Sequence, residues 1–169
     1  ASREHALHHA RRDGRDPARL AHRDRRNRAT HFIGIPAIVF AILVPLALVR
    51  LDGISAALLV TALALIGWIA LDFVVGAAMI VAMTPLLFGA EWIARKQGAT
   101  TAWIVFAIFF TGGWIFQLVG HAWEGRRPAL VDNLFQAFIG PMFLMAEMLM
   151  AMGFKQDLKA AIESGGAAR

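Results

Sequence analysis

Along this chain, apolar residues gather into long blocks separated by short polar punctuation. A bilayer hydrocarbon core of about 30 Å takes roughly 20 apolar residues as a helix, with about 17 to 25 tolerated. Phe32–Val49 meets that length, and Asp52-Gly53 then reads as a turn. Residues 54–90 would extend about 55 Å as one helix, too long for a single crossing. A break is expected near Asp72, giving spans of 54–71 and 73–92. Arg95-Lys96-Gln97-Gly98 closes that hairpin, with Gly98 as terminator. Thr101–Gly120 forms a fourth span, and Leu134–Gly153 a fifth segment interrupted by Gly140-Pro141. If that interruption makes the fifth segment re-entrant, the crossings number four. The pattern predicts an all-α polytopic membrane helical bundle with four or five transmembrane segments. Its parts are a flexible basic arm (1–17), a single helical membrane domain (18–154) and a flexible tail (155–169).

Charge sharpens this picture. Charged residues make up 17% of the chain, against about 25% in soluble domains. Between Phe32 and Gly120 only Arg50, Asp52, Asp72, Glu91, Arg95 and Lys96 carry charge, which excludes a soluble globule. Residues 1–28 hold nine Arg against four acids, whereas the rest of the chain is balanced. With five crossings, the arm and the 121–133 connection share one side and carry eleven basic residues against six opposite. The excess puts that side in the cytoplasm. An integral membrane location is expected, with a bacterial inner membrane or, alternatively, the endoplasmic reticulum as the site. The arm adjoins a membrane domain and lacks interleaved aromatics, so it suits the lipid bilayer surface rather than nucleic acid. The absence of cysteine excludes disulfides, zinc ribbons and thiol nucleophiles. Walker, GxGxxG, HExxH and GxSxG signatures are absent too.

Topology singles out the polar residues that carry chemistry. His31 stands just before the first span and His121 just after the fourth, so both lie at the same membrane boundary. Two neutral imidazoles at one depth are candidate ligands for a borderline metal. Asn27 and His31 are four apart and share a helix face, and His121 and Glu124 are three apart. His22 is nine residues before His31, half a turn out of phase, so a shared ion requires the chain to turn between them or His22 to arrive from a loop. Asp72 fits a hairpin turn. Glu147, an acid inside an apolar segment, needs a kink at Pro141 to approach His121. Arg126-Arg127 reads as an interfacial anchor or as a binder of an acidic head, with Asp132 in the same connection. The competing reading is bland: interfacial His and Asn also cap helix ends or meet lipid headgroups, and His5, His8 and His9 sit in a solvated terminus.

Two blocks carry a family resemblance. One is His22-x4-Asn27-x3-His31-x2-Gly34-x-Pro36. The other is Gln117-x2-Gly120-His121-x2-Glu124-x3-Pro128-Ala129-Leu130-x-Asp132, running on to Pro141 and Glu147. In order and spacing this resembles the small membrane proteins of the 2-hydroxy-palmitate dioxygenase-like family, over residues 18–154. A Tyr common before the family's first His has no counterpart, since the chain has no Tyr. The resemblance implies Fe(II)-dependent alpha-oxidation of a 2-hydroxy fatty acid with O₂, shortening it by one carbon. It implies iron ligation by His22, His31 and His121. Glu124 and Asn27 would orient the ligands, and Arg126 or Arg127 would steer the carboxylate. A homo-oligomer is compatible with it. Two alternatives stand beside it: a non-catalytic membrane protein that binds lipid or a partner, and a metal-dependent enzyme acting on another lipid.

Overall fold

The computed structural model describes residues 17–124 and 134–154, excepting the side chains of 17–28, 121, 123, 124 and 134–137. The described helices are α1 (Pro17–Leu48), α2 (Ala56–Leu71), α3 (Phe73–Lys96), α4 (Gly98–Glu124) and α5 (Leu134–Ala151). A two-residue antiparallel pair, β1 (Arg50–Leu51) and β2 (Ile54–Ser55), joins α1 to α2. The arm to residue 16 and the tail from residue 155 lie outside the described residues.

Local chemistry sets each boundary. Asp52 and Gly53 both take positive φ, 49° and 86°, as a two-residue hairpin turn that follows the strand twist requires. Ser55 then caps α2, its Oγ accepting from the Leu58 amide at 3.1 Å. Asp72 serves both neighbours. Its extended backbone (φ −156°, ψ 115°) ends α2, with its amide donating to the Trp68 carbonyl at 2.9 Å. Its carboxylate starts α3 by accepting from the Val75 amide at 3.0 Å. Gly76 permits the tight return, because a Cβ there would stand 2.6 Å from the backbone of Ile69.

Helix directions follow from the contacts. A Cβ on Gly89 of α3 would stand 3.2 Å from the ring of Phe40 on α1, and Arg50 meets Glu91 beyond it, so α1 and α3 run the same way. Trp68 donates from Nε1 to the Phe138 carbonyl at 3.0 Å and stacks on its ring at 5.4 Å. That contact sets the start of α5 beside the end of α2 and the beginning of α3. The odd helices therefore run one way and α2 and α4 return. The buried core lies between α1, α2 and α3, around Leu43, Val44, Trp68, Val75 and Met79, with Met145 and Leu149 added by α5. Leu63, Phe73, Val81 and Phe88 are each exposed over two thirds of their surface or more, an apolar exterior suited to lipid.

Two local details differ from expectation. Among the described residues, three helical stretches are long and apolar enough to cross a membrane, Ala29–Leu48, Phe73–Lys96 and Gly98–Gly120, and Ala56–Leu71 and Phe138–Ala151 are shorter apolar helices. The second span is shortened because Ile54 and Ser55 are taken by the hairpin. The Gly140-Pro141 interruption is also absent, as α5 passes through it unbroken. Proline removes a single donor from the helix ladder, and Trp68 braces the backbone there through the Phe138 carbonyl.

At the end of the bundle where α1 closes, Arg50 Nη2 donates to Glu91 Oε2 at 2.7 Å, and Arg95 Nε donates to the same oxygen at 3.0 Å. Arg50 Nη1 also donates to the Gly53 carbonyl at 3.1 Å. The cluster ties the hairpin to the last turns of α3.

If Asp72 acts through capping, Asp72→Ala should lower stability by about 1 kcal/mol, while Asp72→Asn keeps most of it. Unfolding followed in detergent micelles reads both, and equal loss in the two variants would assign the carboxylate another role.

Candidate functional site

The most extensive helix pairing joins α1 to α4. At its closest approach the facing buried residues are glycines, Gly34 on α1 and Gly113 on α4. Between helices in lipid there is no hydrophobic drive, so close packing of small residues supplies the association. A Cβ on Gly34 would stand 2.9 Å from both the Gly113 carbonyl and Gln117 Nε2. One on Gly113 would stand 2.6 Å from Ile38 Cγ1 and 3.0 Å from the Gly34 carbonyl. The two backbones touch.

These contacts fix direction and register. Gly34 faces Gly113 and Gln117, Ile38 faces Gly113, and the Phe40 ring meets Phe109 edge-on at 5.1 Å. Numbers rise on α1 as they fall on α4, so the pair is antiparallel. One turn before Gly34 stands His31, and one turn after Gln117 stands His121. The register sets them at the same end, within about 3 Å along the axis at 1.5 Å per residue. One further turn brings Asn27 on α1 level with Glu124 on α4. The seam thus carries a ladder of polar positions: Gln117 against Gly34, then His31 with His121, then Asn27 with Glu124. His31 is half-buried and Thr30 beside it is buried.

The remaining candidates fall elsewhere. α1 is continuous from Pro17 to Leu48, so the turn or loop that a shared ion would require between His22 and His31 is not there. His22 sits half a turn out of phase with His31 and about 14 Å along the helix. Arg126, Arg127 and Asp132 lie outside the described residues. Glu147 is half-buried on α5, six residues past Pro141, and the unbroken helix carries it away from His31 rather than toward it. Among the described residues, no group of three or more His, Asp or Glu comes together.

Gln117 heads the second sequence block, where it was assigned no role. It is 1% exposed, and neither its Oε1 nor its Nε2 has a hydrogen-bond partner. A buried unsatisfied amide is uncommon and marks a strained or functional position. Its signal in the sequence was a lone amide inside an apolar span, flanked by Gly113 and Gly120 on the same stripe.

Beside the seam, a groove of about 250 Å³ opens between the parallel helices α1, α3 and α5. Phe32, Ile35, Pro36 and Val39 of α1 face Met79, Ala82, Met83 and Leu86 of α3, each pair 47 apart in number. Pro141, Leu144, Met145 and Met148 of α5 close the third side. All twelve lining residues are apolar. The groove begins at Phe32, the residue after His31.

A family model described as "2-hydroxy-palmitic acid dioxygenase Mpo1-like" matches residues 19–152. A stretch of 56 residues is 55% identical to the Saccharomyces cerevisiae protein named 2-hydroxy-palmitic acid dioxygenase MPO1, covering 32% of either chain. The match therefore spans about a third of that relative's length. No solved structure matches the chain.

Gly34→Ala and Gly113→Ala should each lower stability by about 1–3 kcal/mol through overpacking of the seam, whereas Gly112→Ala, with open space at its Cβ, should be close to neutral. Unfolding in detergent reads the difference, and a neutral Gly113→Ala would mean the helices are not in backbone contact.

Proposed function

The chain belongs to the Mpo1-like family, and from that premise we propose that it is a membrane dioxygenase that shortens 2-hydroxy fatty acids by one carbon, using Fe(II) held at the α1–α4 seam. The observation that supports this best is the level placement of His31 and His121 by a register that small residues lock.

The donor set suits the metal. Two imidazoles and one carboxylate with positions left open form the ligand pattern of non-haem Fe(II) oxygenases. His31 and His121 supply the nitrogens from opposite helices, and Glu124, three residues past His121, supplies the carboxylate. His22, the third histidine that the resemblance assigns, joins the same ion only if α1 bends between residues 22 and 31. Asn27, level with Glu124, carries both donor and acceptor groups for holding the ligands in orientation. Arg126 and Arg127, which follow Glu124 closely in sequence, are the cations assigned to the substrate carboxylate.

Bound there, Fe(II) would supply a chelation site for the hydroxyl and carboxylate of the 2-hydroxy acid, an open position for O₂ and Lewis acidity. The protein's own part is placement. The touching backbones of α1 and α4 keep the two histidines at one depth, and the apolar seam below them excludes water. The balance closes without a further cofactor. A 2-hydroxy acid and O₂ give the shortened acid, CO₂ and water, and the four electrons released are those that one O₂ accepts.

Metal analysis of anaerobically purified protein should find about one iron per chain, lost in His31→Ala and His121→Ala and retained in His8→Ala. Iron loss in Glu124→Ala but not in His22→Ala would favour the two-histidine, one-carboxylate set, and the reverse would restore His22. Zinc at the same stoichiometry would move the chemistry toward hydrolysis. No metal, even after Fe(II) reconstitution, would leave a lipid- or partner-binding protein. With iron present, a 2-hydroxy fatty acid should consume O₂ and shortened acid should appear in equal amounts.

A further inference from the structure

We propose that the groove between α1, α3 and α5 is the binding site for the part of the substrate's acyl tail nearest its head, with the remainder of the tail left in the bilayer. This rests on the reading of His31 and His121 as the head-group end of the site.

Size selects the occupant. A dry protein cavity of about 150 Å³ takes benzene, with its six carbons, so about 250 Å³ has room for roughly ten carbons of a chain. From Phe32 to Val39 the groove runs about 10 Å along α1. A helix of about 10–12 Å diameter cannot enter a space of that volume between three helices. An extended hydrocarbon can. Four of the lining residues, Met79, Met83, Met145 and Met148, are methionines, whose unbranched thioethers adapt to a partner of variable shape. Ala82 is the small residue of the lining and keeps the middle of the groove open.

Position selects the lipid. The tail of a 2-hydroxy acid starts at the carbon that carries the reacting hydroxyl, so its first methylenes must lie beside the head-group site. Phe32 opens the groove immediately after His31, and the parallel run of α1 and α3 leads away from that end. The chain-length consequence is specific. Sensitivity to the shape of the tail should be confined to roughly its first ten carbons, because only those exchange lipid contacts for groove contacts and the later ones stay in the bilayer.

The test uses the full-length protein in lipid nanodiscs, kept anaerobic, with 2-hydroxy fatty acids carrying a photoreactive diazirine either near the head or at the methyl end. The head-proximal probe should label groove residues such as Met79, Met83 or Met145, and unlabelled 2-hydroxy acid should displace it while excess phospholipid does not. The methyl-end probe should label lipid-facing residues such as Ile108. Head-proximal labelling outside the groove, or displacement by phospholipid to the same extent, would overturn the proposal in favour of ordinary surrounding lipid. Ala82→Phe, which fills the groove, should weaken binding of long chains about tenfold and of chains below roughly five carbons little. An equal loss at all lengths in a folded variant would also overturn it. Labelling needs no turnover, so the two readings fail separately. Groove labelling without product would sink the dioxygenase and keep the tail site, and product formation with an unchanged length profile in Ala82→Phe would do the opposite.

Discussion

The backbone contact between Gly34 and Gly113 is the constraint on which the candidate site depends. With the Gly34 carbonyl 3.0 Å from where a Cβ on Gly113 would sit, α1 and α4 have one register available. Sliding either helix would drive Ile38 or Gln117 into a backbone. Every polar level above the contact inherits that register, so His31 and His121 are set to one depth by residues that carry no chemistry themselves. Gln117 shows the cost of so tight a seam: its amide is sealed among apolar neighbours with both polar atoms unpartnered.

The bundle's two ends are built by different physics. At one end, polar positions recur in successive turns of α1 and α4, His31 and Asn27 on one and His121 and Glu124 on the other, a placement that helical periodicity produces. At the other, charge does the work: Glu91 takes Arg50 and Arg95 on one oxygen, which neutralises the carboxylate where α3 leaves the apolar zone. Between them the interior is apolar apart from buried positions such as Thr61 and Gln117, and the Met-lined groove starts next to a candidate ligand.

How far the sequence could be read depended on how local each determinant is. The turn at Asp52-Gly53, the break at Asp72 and the terminator at Gly98 were legible because a few residues decide each one through φ preference and capping. The all-α membrane class followed from block length and sparse charge. The length of α2 was not legible, because nothing in Ile54-Ser55 announces that they pair with Arg50-Leu51. The continuity of α5 was hidden for a similar reason, since the brace at Pro141 comes from Trp68, 70 residues away from Phe138. The half-turn offset between His22 and His31 was legible from spacing alone, and the continuous α1 keeps it. That α1 would choose α4 as its main partner could not be computed, because Gly34 and Gly113 declare their role only when they meet. Arg50 and Glu91, 41 residues apart, are the same case.

The α1–α4 seam also has a consequence in time. α1 is complete at Leu48, but the face it must meet, from Ala102 to Gly120, is not made until about seventy residues later. At synthesis rates of roughly 5–20 residues per second, α1 waits on the order of ten seconds beside the ribosome with its seam open. The α2–α3 hairpin, whose partners are adjacent in the chain, closes within that interval. The polar levels are therefore assembled after the α2–α3 hairpin and before only α5, and any nascent chain interrupted before α4 carries α1 without its seam partner.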